Sequence, residues 1–132
     1  MMLAKLFSWF GPGYPKVDLV LAKREYTPGE KVTGSFHLQG GLRQVKIHRL
    51  ECDLVKKTPG RKPRFIQPVT TVLMNRELGS KAETEYPFHF LLPEELLEEA
   101  DESSYHLQTK LVLKNDVETT DTDEIHIRMS SI

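Results

Sequence analysis

The stretch "EYTPGEKVTG", residues 25–34, decides how this chain folds. Pro28 presets φ for the second position of a type II β-turn, and Gly29 supplies the positive φ that the third position needs. The turn lies between the apolar run "VDLVLA" and the alternating run "KVTGSFHLQG". We therefore expect the chain to reverse or change direction at Gly29.

Length and composition indicate one soluble domain. A chain of 132 residues is long enough to bury one sizeable core. Hydrophobic residues make up 39% and charged residues 28%, which is ordinary for a globular protein and argues against disorder. The net charge of -1 predicts no overall attraction to nucleic acid or to an anionic membrane.

The hydrophobic pattern beyond "GPG" is that of β-strands. Apolar residues alternate with polar ones in several runs, each bounded by turn signals, and this pattern is typical of an antiparallel β-sandwich of about seven strands. The alternations place these residues in the core: Phe36, Leu50, Cys52, Leu54, Phe88, Phe90, Leu111 and Ile127.

Three local features modify this pattern. The alternation changes phase near Arg49, which predicts a β-bulge or a sharp bend. Pro68 and Pro87 cannot donate ladder hydrogen bonds, so their strands should lie at sheet edges or bend there. The stretch "PEELLEEADESS" predicts a short helix or an acidic loop.

The sequence predicts two units, which are an N-terminal arm or helix of residues 1–13 and a sandwich domain of residues 14–132. Leu3, Leu6, Phe7 and Phe10 fall at i, i+3, i+4 and i+7, which would line one face of a short helix or arm. The arm either packs on the domain's own core or docks on a protein partner or, peripherally, on a membrane. Phe7, Trp9 and Phe10 are the expected anchors if it docks elsewhere.

Side chains that could carry chemistry are scattered. Alternation places His37, His89, His106 and His126 opposite the core, and no two histidines have a short spacing typical of metal ligands. Cys52 lies on an apolar face, where a buried thiol behaves as a small hydrophobe. We expect no catalytic, metal-binding or cofactor-binding residue and no small-molecule substrate. A single cysteine allows no internal disulfide, so a cytoplasmic location is the simple expectation.

The charges are segregated along the chain. Between Arg43 and Arg64 there are eight basic residues against two acidic ones, while Glu94 to Glu102 holds six acidic residues and no basic one. The candidate binding loop spans 56–65, "KKTPGRKPRF", where cations could meet phosphates and Phe65 could stack on a base. The alternative is a hydrated hairpin tip. The basic residues of this loop are Lys56, Lys57, Arg61, Lys62 and Arg64.

Several motifs, taken together, resemble the bacterial sporulation-control proteins of the arrestin-like superfamily. The similarity covers "KVDLVLAKREYTPGEKVTGSFHLQGG", "VKIHRLECDLVKK", "TEYPFHFLLPEEL" and "YHLQTKLVLKNDVETTDTDEIHI". The positions that match the family's turn, glycine strand and Gly-Gly loop are Tyr26, Pro28, Gly29, Glu30, Val32, Gly34, Gly40 and Gly41. The resemblance implies an arrestin-like, immunoglobulin-like sandwich. Typical family members carry two such sandwiches in tandem, and this sequence matches the first.

The resemblance also implies a non-enzymatic regulatory or scaffolding protein that acts through protein partners of unknown identity. Self-association through strand edges and the N-terminal arm is a further hypothesis, because a single sandwich lacks a second one to cover its flank. The alternative function is a nucleic-acid-binding module that uses the basic loop 56–65. Nucleic acid is the less favoured partner.

Overall fold

The computed structural model describes residues 13–96 and 103–128, and this part of the chain contains eight β-strands and no helix. The strands are β1 (Lys16–Leu21), β2 (Glu25–Tyr26), β3 (Lys31–Gln39), β4 (Val45–Lys57), β5 (Arg64–Leu78), β6 (Glu83–Leu91), β7 (Ser104–Leu113) and β8 (Glu118–Ile127). The predicted all-β fold is confirmed. The eighth strand, which the sequence did not indicate, is the two-residue β2.

The strands form two sheets. One has three strands in the order β1-β3-β6, and the other has five in the order β2-β8-β7-β4-β5. All pairs are antiparallel except β2 with β8, which is parallel, so the expectation of a purely antiparallel sandwich is wrong at that pair. The two longest edges of the sandwich are therefore β5 in one sheet and β6 in the other.

The turn at residues 27–30 carries the chain from the larger sheet back to the smaller one. Gly29 has φ of 80°, and the Glu30 N–H donates to the Thr27 carbonyl at 3.0 Å, as a type II turn requires. Just before the turn, the Tyr26 carbonyl accepts a hydrogen bond from Arg128 N–H at 2.8 Å beside β8. The chain thus leaves β1, touches the five-stranded sheet as β2, and returns as β3.

The side chain of Glu30 fastens this turn. Its Oε1 accepts from Thr27 N–H at 2.9 Å, and its carboxylate pairs with the Lys23 ammonium. The hydrogen bond from Lys23, followed by that from the Thr27 N–H, holds the pKa of Glu30 below its ordinary value. Tyr26 is buried and donates its hydroxyl to the Lys23 carbonyl at 2.7 Å. The tyrosine and glutamate of the motif are therefore structural residues.

The motif glycines lie where two pieces of backbone approach closely. A Cβ on Gly34 would come within 2.5 Å of the Val20 carbonyl oxygen, and a Cβ on Gly41 within 2.4 Å of the Gly13 carbonyl oxygen. No L side chain fits such contacts without moving a strand or a loop. Gly34 therefore allows the close approach of β1 to β3, and Gly41 allows the close approach of Gly13 to the Gly40-Gly41 loop.

The core contains most of the residues that alternation placed there. Of the eight predicted core residues, six are at most 3% exposed. Phe88 and Phe90 are the exceptions, because they face inward from the edge strand β6 and are only partly buried. Both phenylalanines pack against the core without being fully buried.

The predicted irregularities lie where the sequence indicated them. The register of β4 shifts between Ile47 and Arg49, as the phase change predicted. Pro68 is on β5 and Pro87 on β6, and both are edge strands. Glu94 and Glu95 form a turn, so over residues 93–96 the segment is a loop, which was one of the two alternatives, and not a helix. The remainder of that segment and the N-terminal arm lie outside the described residues.

Alternation of apolar residues did not reveal the polar part of the inner face. Thr109, Thr119, Asp121 and Asp123 are buried on β7 and β8. The Oδ2 of Asp121 accepts a hydrogen bond from the Leu19 N–H of β1 at 2.8 Å. A buried carboxylate therefore satisfies a backbone donor at the free edge of β1 and closes this side of the sandwich.

We predict that Gly34→Ala lowers the free energy of unfolding by about 1–3 kcal/mol, because the new methyl group displaces β1. Gly79→Ala is the matched control, since a Cβ there meets only the Ala82 Cβ at 3.8 Å. Urea unfolding of both variants measures the difference. Equal stabilities would contradict the close-packing role of Gly34.

Candidate functional site

The predicted basic loop is the tip of the β4–β5 hairpin. Thr58, Pro59, Gly60 and Arg61 form its turn, in which the Arg61 N–H donates to the Thr58 carbonyl at 3.0 Å. Gly60 has φ of 76°, which again is the third position of a type II turn. Arg61 and Lys62 are exposed at the tip. Local turn chemistry therefore holds two cations away from the sheets.

The hairpin does not gather all the predicted basic residues on one surface. Successive side chains of a strand point to opposite faces, so Lys56 and Lys57 separate. The Nζ of Lys56 lies 5.7 Å from the centroid of the Tyr105 ring, where a cation–π contact forms on the inner side. Arg64 is opposite Lys56 in the ladder and shares that side. Lys57 is on the outer face.

Phe65 lies on the outer face of the hairpin. Its side chain is 57% exposed, and it pairs in the ladder with Val55, which is 5% exposed. Because cross-strand partners share a face, Phe65 lies on the same side as Lys57 and above Val55. An exposed aromatic ring beside a lysine and two tip cations can contact an acidic and apolar partner.

Leu73 extends this surface along the edge strand. It is 76% exposed and pairs with Arg49 on the outer face of β5. Sequence reasoning missed it, although the consecutive apolar residues of "VLM" at 72–74 signalled that one of them must face outward. We call the surface formed by Lys57, Arg61, Lys62, Phe65 and Leu73 the hairpin face.

The described chain resumes beside this hairpin. The Oγ atoms of Thr58 and Ser103 are 2.9 Å apart, so the residue that precedes β7 contacts the base of the hairpin turn.

The histidines are dispersed. His106 is half-buried on the outer face, and its Nε2 lies 2.8 Å from the Ser104 Oγ. Burial, followed by the positive charge of Lys57, lowers the pKa of His106 below its ordinary value. Across the described ranges 13–96 and 103–128, no three His, Cys, Asp or Glu side chains are grouped to hold a metal ion.

Cys52 is fully enclosed in the core. Its side chain is 0% exposed, and the Oγ1 of Thr109 lies 3.7 Å from its sulfur. Burial raises the pKa of the Cys52 thiol to about 12. A thiol with so little thiolate and no access to solvent is a packing residue.

A small open cavity of about 170 Å³ lies along β1. It is lined by Asp18, Leu19, Val20, Leu21, Arg24 and Asp123. Pockets for small ligands usually exceed about 300 Å³ and are mainly apolar, so this one has the wrong size and lining.

Other predicted site residues, Phe7, Trp9 and Phe10, lie outside the described residues, and their role as partner anchors stays a prediction. Within residues 13–96 and 103–128, no helix has the length and the apolar character that a membrane crossing requires.

The two sheets and the strand crossing between them define a β-sandwich protein. The SpoOM protein family matches residues 3–132, and the chain belongs to this family. It is 27% identical over 129 residues to the sporulation-control protein Spo0M of Bacillus subtilis (strain 168), a match that covers 93% of this chain and 50% of the relative.

Comparison with solved structures supports the same fold. The crystal structure of Spo0M from Bacillus subtilis superimposes with a TM-score of 0.70 at 22% identity and covers 89% of this chain and 51% of that chain. A Niemann-Pick type C2 protein from Japanese carpenter ant has a TM-score of 0.61 at 13% identity and covers 93% and 99% of the respective chains. The chain thus spans about half the length of its sporulation-control relative.

We predict that Cys52 resists thiol reagents in the folded protein. Because its folded-state pKa is about 12, raising the pH from 7 to 10 should leave it unlabelled until the protein unfolds. Iodoacetamide labelling followed by mass spectrometry, with and without urea, measures this. Rapid labelling of the folded protein near pH 8 would contradict the assignment of Cys52 to the core.

Proposed function

We propose that this protein is a non-enzymatic regulatory protein that binds a protein partner through the hairpin face. Membership of a sporulation-control family supports the regulatory role. The observation that carries the proposal is the exposed Phe65 beside Lys57 and the tip cations. Exposed apolar side chains bordered by charge are typical of protein-binding surfaces.

The partner that fits this surface is acidic, with an apolar side chain that contacts Phe65. Arg61 and Lys62 would increase the association rate by long-range attraction, and contact with Phe65 would slow dissociation. The edge of β5 itself contributes little through added strand pairing, because Pro68 interrupts its row of backbone donors.

Binding of a nucleic acid is the second candidate, since the same cations could contact phosphates and Phe65 could stack on a base. One contact weighs against it. Lys56 is engaged over Tyr105, which removes one cation from the set.

The test is affinity capture from native lysate with the parent protein and with Arg61→Glu/Lys62→Glu. We expect the double charge reversal to lower capture of a specific protein at least tenfold without changing the free energy of unfolding. Lys16→Glu/Lys114→Glu is the matched control, because both lysines are exposed at the other end of the sandwich. We expect the control variant to capture the partner normally.

Phe65→Ala separates the apolar contribution from the charges. We expect it to weaken capture even at high salt, where the contribution of the cations is screened. Capture that disappears on nuclease treatment would instead establish the nucleic-acid alternative. Capture that is equal for the parent and for both double variants would contradict the hairpin face as the binding surface.

A further inference from the structure

The hairpin face continues across the five-stranded sheet as a row of four side chains. Val55 of β4 pairs with Phe65 of β5 on one side and with His106 of β7 on the other. His106 pairs in turn with Glu124 of β8. Because cross-strand partners share a face, all four side chains lie on the outer face of this sheet. His106 therefore extends the surface that Phe65 begins.

Val55 forms the floor of a slot between two rings. It is only 5% exposed, whereas the Phe65 side chain stands out from the surface and His106 is half-buried. Phe65 and His106 are two ladder spacings apart, which is roughly 10 Å. One aromatic or branched aliphatic side chain laid over Val55 can contact both rings at about 4 Å. We call this space, bounded by Phe65, Val55 and His106, the aromatic slot.

The ionisable neighbours of His106 come from the two adjacent strands. On β4, Lys57 and Asp53 lie diagonally on either side of it. On β8, Glu124 is opposite His106, and the Nδ1 of His126 lies 3.8 Å from the Glu124 carboxylate. Burial, followed by the charge of Lys57, outweighs the attraction of Glu124 and lowers the pKa of His106.

The hydrogen bonds of His106 also favour the neutral ring. Its Nε2 lies 2.8 Å from the Ser104 Oγ. Its Nδ1 is covered and has no hydrogen-bond partner in the part of the chain that the structure describes. A neutral imidazole carries one N–H, whereas an imidazolium carries two. A second N–H, on Nδ1, would therefore be buried without an acceptor, which costs free energy.

We propose that the aromatic slot takes one apolar side chain of the acidic partner, and that this contact requires the neutral ring of His106. The inference rests on the proposed function, because the carboxylates of the same partner would lie against Lys57 and the cations of the hairpin tip. The apolar side chain shields the imidazole from water and offers no acceptor to a second N–H. Binding therefore opposes protonation of His106, and protonation of His106 releases the partner.

The direction of the pH effect follows from the neutral fraction of His106. Its pKa in the free folded protein lies below the ordinary value of 6.5, so the ring is neutral at pH 7.5 and binding has its full strength there. As the pH falls through that pKa, the fraction of binding-competent protein falls. The affinity should then decrease by about tenfold for each further pH unit.

The probe is a fluorescently labelled peptide, Glu-Glu-Phe-Glu-Glu, titrated with the full chain at pH 7.5 and at pH 5 and measured by fluorescence anisotropy. We expect the parent to bind about tenfold more weakly at pH 5. His106→Gln keeps an N–H group that can reach the Ser104 Oγ but cannot gain a charge. It should bind like the parent at pH 7.5 and lose the pH dependence beyond what titration of the peptide itself causes.

His126→Gln is the matched control, because it removes an exposed histidine of the same outer face that does not border the slot. We expect it to keep the pH dependence of the parent. The reciprocal measurement is made on His106 itself, whose Cε1–H signal in the NMR spectrum is identified by its loss in His106→Gln. Saturating peptide should lower the pKa of His106 further.

The outcomes separate this inference from the proposed function. Peptide binding with the same pH dependence in the parent and in His106→Gln would overturn the inference and leave the proposed function standing. Tighter binding at pH 5, with a raised pKa of His106, would also overturn it, because a carboxylate rather than an apolar side chain would then contact the ring. A peptide that binds at neither pH would contradict both.

Discussion

The carboxylate of Glu30 closes the turn on which the order of the strands depends. It accepts the Thr27 N–H and pairs with Lys23, and this fixes the point where the chain leaves β2 in one sheet and enters β3 in the other. The crossing places β2 beside β8, where the Arg128 N–H donates to the Tyr26 carbonyl at 2.8 Å. The Tyr-x-Pro-Gly-Glu motif is therefore a fold-determining feature, and its residues are engaged with each other rather than with a ligand.

The crossing also makes the sandwich asymmetric. It brings β1 close to β8, where Asp121 satisfies the Leu19 N–H and completes a closed side. Three strands facing five leave β5 and β6 as the two long edges on the other side. The partly buried apolar side chains of β5 and β6 and the exposed residues of the hairpin face both arise there, because residues of edge strands have fewer neighbours to cover them.

Local patterns in the sequence predicted the structural features that depend on neighbouring residues. Alternation located the strands and most of the core, the phase change near Arg49 located a bulge, and Pro68 and Pro87 located edge strands. Alternation could not show how far an inward-facing side chain is covered. Phe88 alternates like Phe36, but it lies on the edge strand β6 and is only partly buried.

The candidate site was likewise predicted only in part. The basic loop 56–65 was identified from composition, yet Lys56 and Lys57 diverge because strand residues alternate between faces. The burial of Asp121 was not predicted, because carboxylates are usually exposed. The Leu19 N–H that it binds is 102 positions away along the chain. Long-range polar pairs of this kind leave no periodic signal.

The central claim is that the charged Glu30 side chain holds the sheet crossing, and the pH dependence of unfolding tests it most directly. Glu30→Gln keeps an acceptor oxygen but removes the charge. Since the folded-state pKa of Glu30 is lowered, its stabilisation is present above the ordinary value of 4.5 and is lost as the pH falls through the folded-state pKa. We therefore expect the parent to be more stable than Glu30→Gln at pH 7, with the difference in the free energy of unfolding disappearing on acidification. Equal stability of the two proteins at pH 7, or a difference that does not change with pH, would contradict the account.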